Sequence, residues 1–129
     1  MAKDQVLQTL TKAFKQKSAH QLCKRLRAYV LKHVDVFSDV CADSGASSVE
    51  QCVEWLSDDL YADVDHALDN VIFLAAACAF DTRILIAMPK GRVFVVEPPD
   101  DKRAQRTLHI RWQPFEYSLS PMHNLRASI

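Results

Sequence analysis

The stretch Val71-Ile72-Phe73-Leu74-Ala75-Ala76-Ala77-Cys78-Ala79 constrains this chain more than any other. Read as a helix it is apolar almost all round, so it has no face to give to water and belongs at the centre of the molecule. The pattern predicts that helix over residues 66–80. The character then changes at once, because residues 83–87 (Arg-Ile-Leu-Ile-Ala) are short and β-branched, which predicts a strand. A buried helix running straight into a strand needs other elements to cover both. With 129 residues, 49% hydrophobic and 25% charged, the chain suffices for a single domain over 1–129 with one modest core.

The covering elements are legible from period. Over residues 4–16, Val6, Leu7, Leu10 and Phe14 recur at helical spacing. Ser18 with Gln21 three positions on forms a capping box that opens a second helix, with Leu22, Leu26, Tyr29, Val30 and His33/Val34 as its apolar stripe. Val36 and Phe37 then read as a short turn, and residues 38–48 as the best loop in the chain. Ser48 and Gln51 repeat the capping box and open a third helix, with Val49, Cys52, Val53 and Leu56 inward. Residues 57–65 are acidic, with Leu60, Tyr61 and Val64 as their large apolar side chains. After the central helix, residues 88–91 read as a turn and 92–97 as a partner strand. Residues 107–112 alternate Leu108, Ile110 and Trp112 with His109 and Arg111, a strand with one buried face, and 115–119 with 125–129 suggest a further pair broken by Pro121. The expected class is α+β, helices followed by a small, mostly antiparallel sheet.

Composition excludes several chemistries. The only glycines are Gly45 and Gly91, so the clustered glycines of phosphate-cradling loops are missing. No apolar run approaches the ~20 residues of a membrane span. The opening Met1-Ala2-Lys3-Asp4-Gln5 does not read as a signal peptide, so a cytoplasmic location with reduced thiols is the expectation. Cys23, Cys41, Cys52 and Cys78 form no C-x-x-C pair, and the five histidines show no H-x-x-x-H spacing, so no metal and no cofactor is expected. Cys23 and Cys78 read as core fillers, and Cys41 as the most exposed thiol. Charge is sharply divided along the chain although it sums to zero. Residues 1–34 carry +7, residues 35–81 carry eleven acids and no Lys or Arg, and residues 82–129 carry +4.

The order of these features resembles the ovarian-tumour (OTU) family of cysteine proteases, which cleave ubiquitin chains. The family opens with a Gly-Asp-Gly-Asn-Cys-Leu-Phe-Arg-Ala-Leu type of motif, and residues 4–10 (Asp-Gln-Val-Leu-Gln-Thr-Leu) look like its second half. Residues 27–37 (Arg-Ala-Tyr-Val-Leu-Lys-His-Val-Asp-Val-Phe) are similar to its next helix and the segment that follows. Residues 69–86 look like its Leu/Ala-rich helix running into a core strand, and Met122-His123-Asn124-Leu125 stands where the family has a late His-aromatic-Asn motif. The resemblance implies an OTU-like, papain-type fold.

The departures bear on activity. Counting back from Leu10 puts Gln5 in the nucleophile slot, and a carboxamide cannot become the thiolate that such a protease needs at a helix N-terminus. Met1-Ala2-Lys3 replaces the glycines that would let backbone N–H groups approach an oxyanion. Aligning Asn124 with the family's Asn leaves Met122 in the histidine slot and His123 in the aromatic one, whereas a shift of one residue restores His123 and displaces Asn124. The resemblance therefore implies a catalytically inactive OTU-like domain, a pseudo-deubiquitinase acting as a protein-interaction module, with ubiquitin or a ubiquitin-like protein as its partner. Asp58, Asp59, Asp63 and Asp65 are its expected binding residues, since ubiquitin's recognition face is flanked by basic side chains. Alternatives are an active OTU-type deubiquitinase whose catalytic pair lies in another register, and a nucleic-acid binder using Lys12, Lys15, Lys17, Lys24, Arg25 and Arg27. A homo-oligomer is also compatible with the composition. No membrane partner is expected.

Overall fold

The computed structural model describes residues 2–56, 68–99, 104–113 and 116–119, with 2–5, 112–113 and 116–119 described by their backbone alone. Within them are five α-helices, α1 (Ala2–Ala13), α2 (Ala19–Lys32), α3 (Val34–Asp43), α4 (Val49–Trp55) and α5 (Asp69–Ala79). Four strands follow, β1 (Thr82–Ala87), β2 (Val93–Val96), β3 (Arg106–Gln113) and β4 (Glu116–Leu119), in the order β2-β1-β3-β4. The class is α+β, as expected. The sheet is mixed: the β1–β2 and β3–β4 pairs are antiparallel, but the central β1–β3 pair is parallel.

The apolar stretch does occupy the centre. Ala75, Ala76, Ala77, Cys78 and Val71 are fully buried in α5, and α1, α2, α3, β1 and β2 all pack against it. The run of alanines lets these neighbours approach closely, because a methyl group leaves no room for intervening solvent. Thr82, Ile84 and Ile86 of β1 and Leu108 and Ile110 of β3 are buried on the face that meets the helices. Arg83, Leu85 and Ala87 alternate with the β1 set and remain partly or wholly exposed, so among the described residues helices cover one face of the sheet.

Both expected N-caps form, each through the serine hydroxyl half of the box. The Ser18 hydroxyl accepts from the Gln21 N–H at 3.2 Å, and the Ser48 hydroxyl accepts from the Gln51 N–H at 3.0 Å. Gln51 returns the favour to the preceding turn, its Oε1 accepting from the Ser47 N–H at 2.7 Å. All four inward positions expected for α4, Val49, Cys52, Val53 and Leu56, are buried.

The expected loop over 38–48 is a correction. Most of it is α3, and only residues 44–48 connect α3 to α4. The helix breaks for one residue at His33 (φ −132°, ψ 49°) and restarts with Asp35 in its first turn. Its buried side chains are Phe37 and Cys41, an i, i+4 pair that meets on one helical face. The serines and aspartates around them stay helical because that apolar pair is worth more than their turn preference. The predicted turn at Val36-Phe37 is therefore absent, and the expected inward His33/Val34 lie exposed at the break. The further strand expected over 125–129 and the acidic stretch 57–65 lie outside the described residues.

Both glycines sit in left-handed backbone, Gly45 at φ 95° after α3 and Gly91 at φ 77° in the β1–β2 turn. The end of α1 needs the same conformation without a glycine. Lys15 adopts φ 55° there, and the Gln16 N–H reaches back to the Thr11 carbonyl at 2.9 Å. Replacing Lys15→Gly is expected to stabilise the fold by about 0.5–1 kcal/mol in chemical denaturation, since the Cβ strain exceeds the entropy added to the unfolded chain. Replacing Ala76→Leu is expected to destabilise it by about 1–3 kcal/mol in the same measurement, because fully enclosed α5 has no room for three more carbons.

Candidate functional site

The helix α1 is where a family-like site would be built. Gln5 lies in its first turn, the position at which unpaired backbone N–H groups and the helix dipole would favour an anion. Its far end is anchored. The Arg106 guanidinium donates to the Ala13 carbonyl at 3.5 Å and lies over the Phe14 ring at 5.3 Å. Phe14 stacks in turn on Phe80 at 4.2 Å with the rings 8° from parallel, and Arg25 covers Phe80 at 4.4 Å. Two rings thus share one face and offer their other faces to guanidinium groups, joining α1, α2, the end of α5 and the start of β3.

This anchor sets the direction of α1. Its C-terminal end stands at the start of β3, and its length packs against β4, which pairs Leu119 with Ile110 and Glu116 with Gln113. Gln5 is eight residues before Ala13, about 12 Å along a helix. Ile110 is four residues after Arg106, about 13 Å along a strand. The helix that carries Gln5 and the strand β4 are thus packed side by side. Met122, His123 and Asn124 follow the end of β4 by three to five residues in sequence and lie outside the described residues, as do Asp58, Asp59, Asp63 and Asp65.

The thiols are disposed differently from the expectation. Cys41 is not an exposed loop residue; it is 1% exposed within α3. Cys23, Cys52 and Cys78 are equally enclosed, so the two expected core fillers are that, and none of the four cysteines forms a disulfide. Cys41 and Cys52 touch across the α3–α4 pair, a contact the sequence pattern does not announce. Its signal is indirect: Cys41 follows Phe37 by four residues and Cys52 follows Val49 by three, which puts each on a buried face. Burial pushes the Cys41 thiol up despite its hydrogen bond with Cys52. Burial, and then donation to Cys41, push Cys52 up from 9.0 to about 12. Neutral thiols of this kind are poor nucleophiles. Among the described residues no group of three or more His, Cys, Asp or Glu could hold a metal ion.

The acidic middle of the chain presents Asp35, Asp39, Asp43, Glu50 and Glu54 to solvent from α3 and α4. The basic lead presents Lys12, Lys15, Lys17, Lys24, Arg25 and Lys32 from α1, α2 and the connection between them, with Arg25 held against Phe80 and Arg27 half-buried.

Ellman's reagent is expected to find no reactive thiol in the native protein near pH 8 and four after denaturation. Because the folded state holds the Cys52 proton more tightly than the unfolded state, the stability linked to it is complete below 9.0. It is then lost as pH rises toward about 12, so the urea midpoint should fall across that window, and less so in Cys52→Ala.

Comparison with protein-family models, with curated proteins and with solved structures finds no match to this chain.

Proposed function

We propose that this chain is a catalytically inactive OTU-like domain that works as a protein-interaction module, with ubiquitin or a ubiquitin-like protein as its partner. The observation that carries the reading is the packing of α1 against β4. The helix that holds Gln5 lies beside the strand from which the chain continues in sequence toward Met122-His123-Asn124, which supports the reading. These are the two segments that the motif order pairs in one cleft.

Inactivity follows from the side chains rather than from the frame. Gln5 offers no thiol, and each of the four cysteines is enclosed. The alternative of an active protease in another register then requires a nucleophile that the buried thiols do not supply. Binding would persist, because losing the nucleophile leaves the surface intact. The acids exposed on α3 and α4, continued in sequence by Asp58, Asp59, Asp63 and Asp65, supply charge complementary to a basic rim on the partner.

Titrating isotope-labelled ubiquitin with the protein is expected to shift resonances at its basic-flanked face, with the affinity falling at least threefold in Asp58→Lys/Asp59→Lys. No shift at about 1 mM protein would end the ubiquitin reading. An electrophile-tailed ubiquitin probe should give no covalent adduct; capture would overturn the inactive reading.

A further inference from the structure

The strand β2 stands at the edge of the sheet, paired with β1 on one side and with no described strand on the other. Its Val93, Phe94 and Val95 are 56%, 55% and 54% exposed, three consecutive large apolar side chains in water. Proteins ordinarily blunt such an edge with charge, proline or a bulge, because its free backbone groups pair with any strand that arrives. No residue of β2 carries charge.

The hydrogen-bond phase of the edge is determined. The Met88 N–H donates to the Arg92 carbonyl at 2.7 Å, in register with Ile86 opposite Phe94 and Ile84 opposite Val96. Arg92, Phe94 and Val96 therefore direct their N–H and C=O toward β1, and Val93 and Val95 direct theirs outward. Charge along the segment is also polar. Lys90 and Arg92 precede the strand; Glu97 follows it, and Asp100 and Asp101 come next in sequence.

We propose that β2 is the pairing edge of a homodimer, in which β2 of a second copy adds antiparallel about a two-fold axis at Phe94. Antiparallel pairing brings the basic entrance of each strand beside the acidic exit of the other, whereas a parallel partner would stack like charges. Centring on Phe94 sets each Val93 opposite the other copy's Val95, so both outward N–H and C=O pairs are satisfied in four hydrogen bonds. The two Phe94 residues then form the close, non-hydrogen-bonded pair, with their rings in contact across the axis. Symmetry and register agree, since a two-fold normal to the sheet requires a residue to face its own copy. The result is one continuous eight-stranded sheet. Four residues per strand make a small interface, at the low end of specific contacts, so the dimer should dissociate in the micromolar range or above.

Sedimentation equilibrium of the full chain tests this, with an expected rise from 14.6 kDa toward twice that mass as concentration increases. Val95→Pro removes an outward N–H without touching the ladder to β1, and should weaken dimerisation at least tenfold while a thermal melt shows the fold retained. Phe94→Cys should cross-link to itself under a mild disulfide-forming oxidant, because the axis holds the paired Cα atoms within disulfide reach, about 4.5 Å apart. Val96→Cys, opposite Arg92 of the other copy, should not. A chain that stays monomeric at about 1 mM overturns the proposal, as does a dimer that survives in folded Val95→Pro. A dimer in which Val96→Cys cross-links in preference to Phe94→Cys overturns the register.

Discussion

A helix with no polar side to turn outward dictates the arrangement of everything around it. Exposing α5 would leave Val71, Ile72, Phe73 and Cys78 in water at about 25 cal/mol for each Å² of apolar surface. Three helices and two strands close over it instead. Their apolar stripes can then be narrow, since each covers only one sector of α5. That division of labour explains why α2 keeps a long basic face: the core asks for Leu22, Cys23, Leu26 and Val30, and leaves Lys24, Arg25 and Lys32 to solvent.

The covering elements are locked to one another where their ends meet. The Phe14–Phe80 stack, with Arg25 and Arg106 on its outer faces, lies where the last residues of α1 and α5 approach the first residue of β3. It uses charged side chains as lids, their guanidinium groups over the rings while both arginines stay exposed to water. The same cluster ties the C-terminal end of α1 to the start of β3, whose neighbour β4 packs against the helix.

Local signals were the legible part of the sequence. Ser18 and Ser48 cap the helices they were expected to open, and the alternation of Leu108 and Ile110 gave the buried face of β3. Two things escaped. The helix α3 hid behind serine, aspartate and glycine, whose turn preference is weak beside a buried Phe37–Cys41 pair. The parallel β1–β3 pairing escaped because period reveals a strand but never its neighbour, and the β1–β2 hairpin suggests antiparallel order throughout. The candidate site was legible only as a motif order in which Gln5 and His123 stand far apart in sequence. The Cys41–Cys52 contact joins two elements whose relative placement no local pattern encodes.

The parallel pair also bears on how the chain assembles. The β1–β2 hairpin closes over a five-residue turn and can form in about 1–10 μs. β3 cannot zip onto β1 from a turn; it must cross from beyond β2 to the far side of β1 and be held there, as by the Gln105 N–H on the Asp81 carbonyl at 2.8 Å. Contact between α1 and β4 joins segments more than a hundred residues apart, the widest sequence separation between described elements. Once Arg106 has met Ala13 across 93 residues, the further closure of α1 on β4 costs little, so the aromatic anchor and the terminal seam form one long-range unit that ties the start of the chain to its sheet.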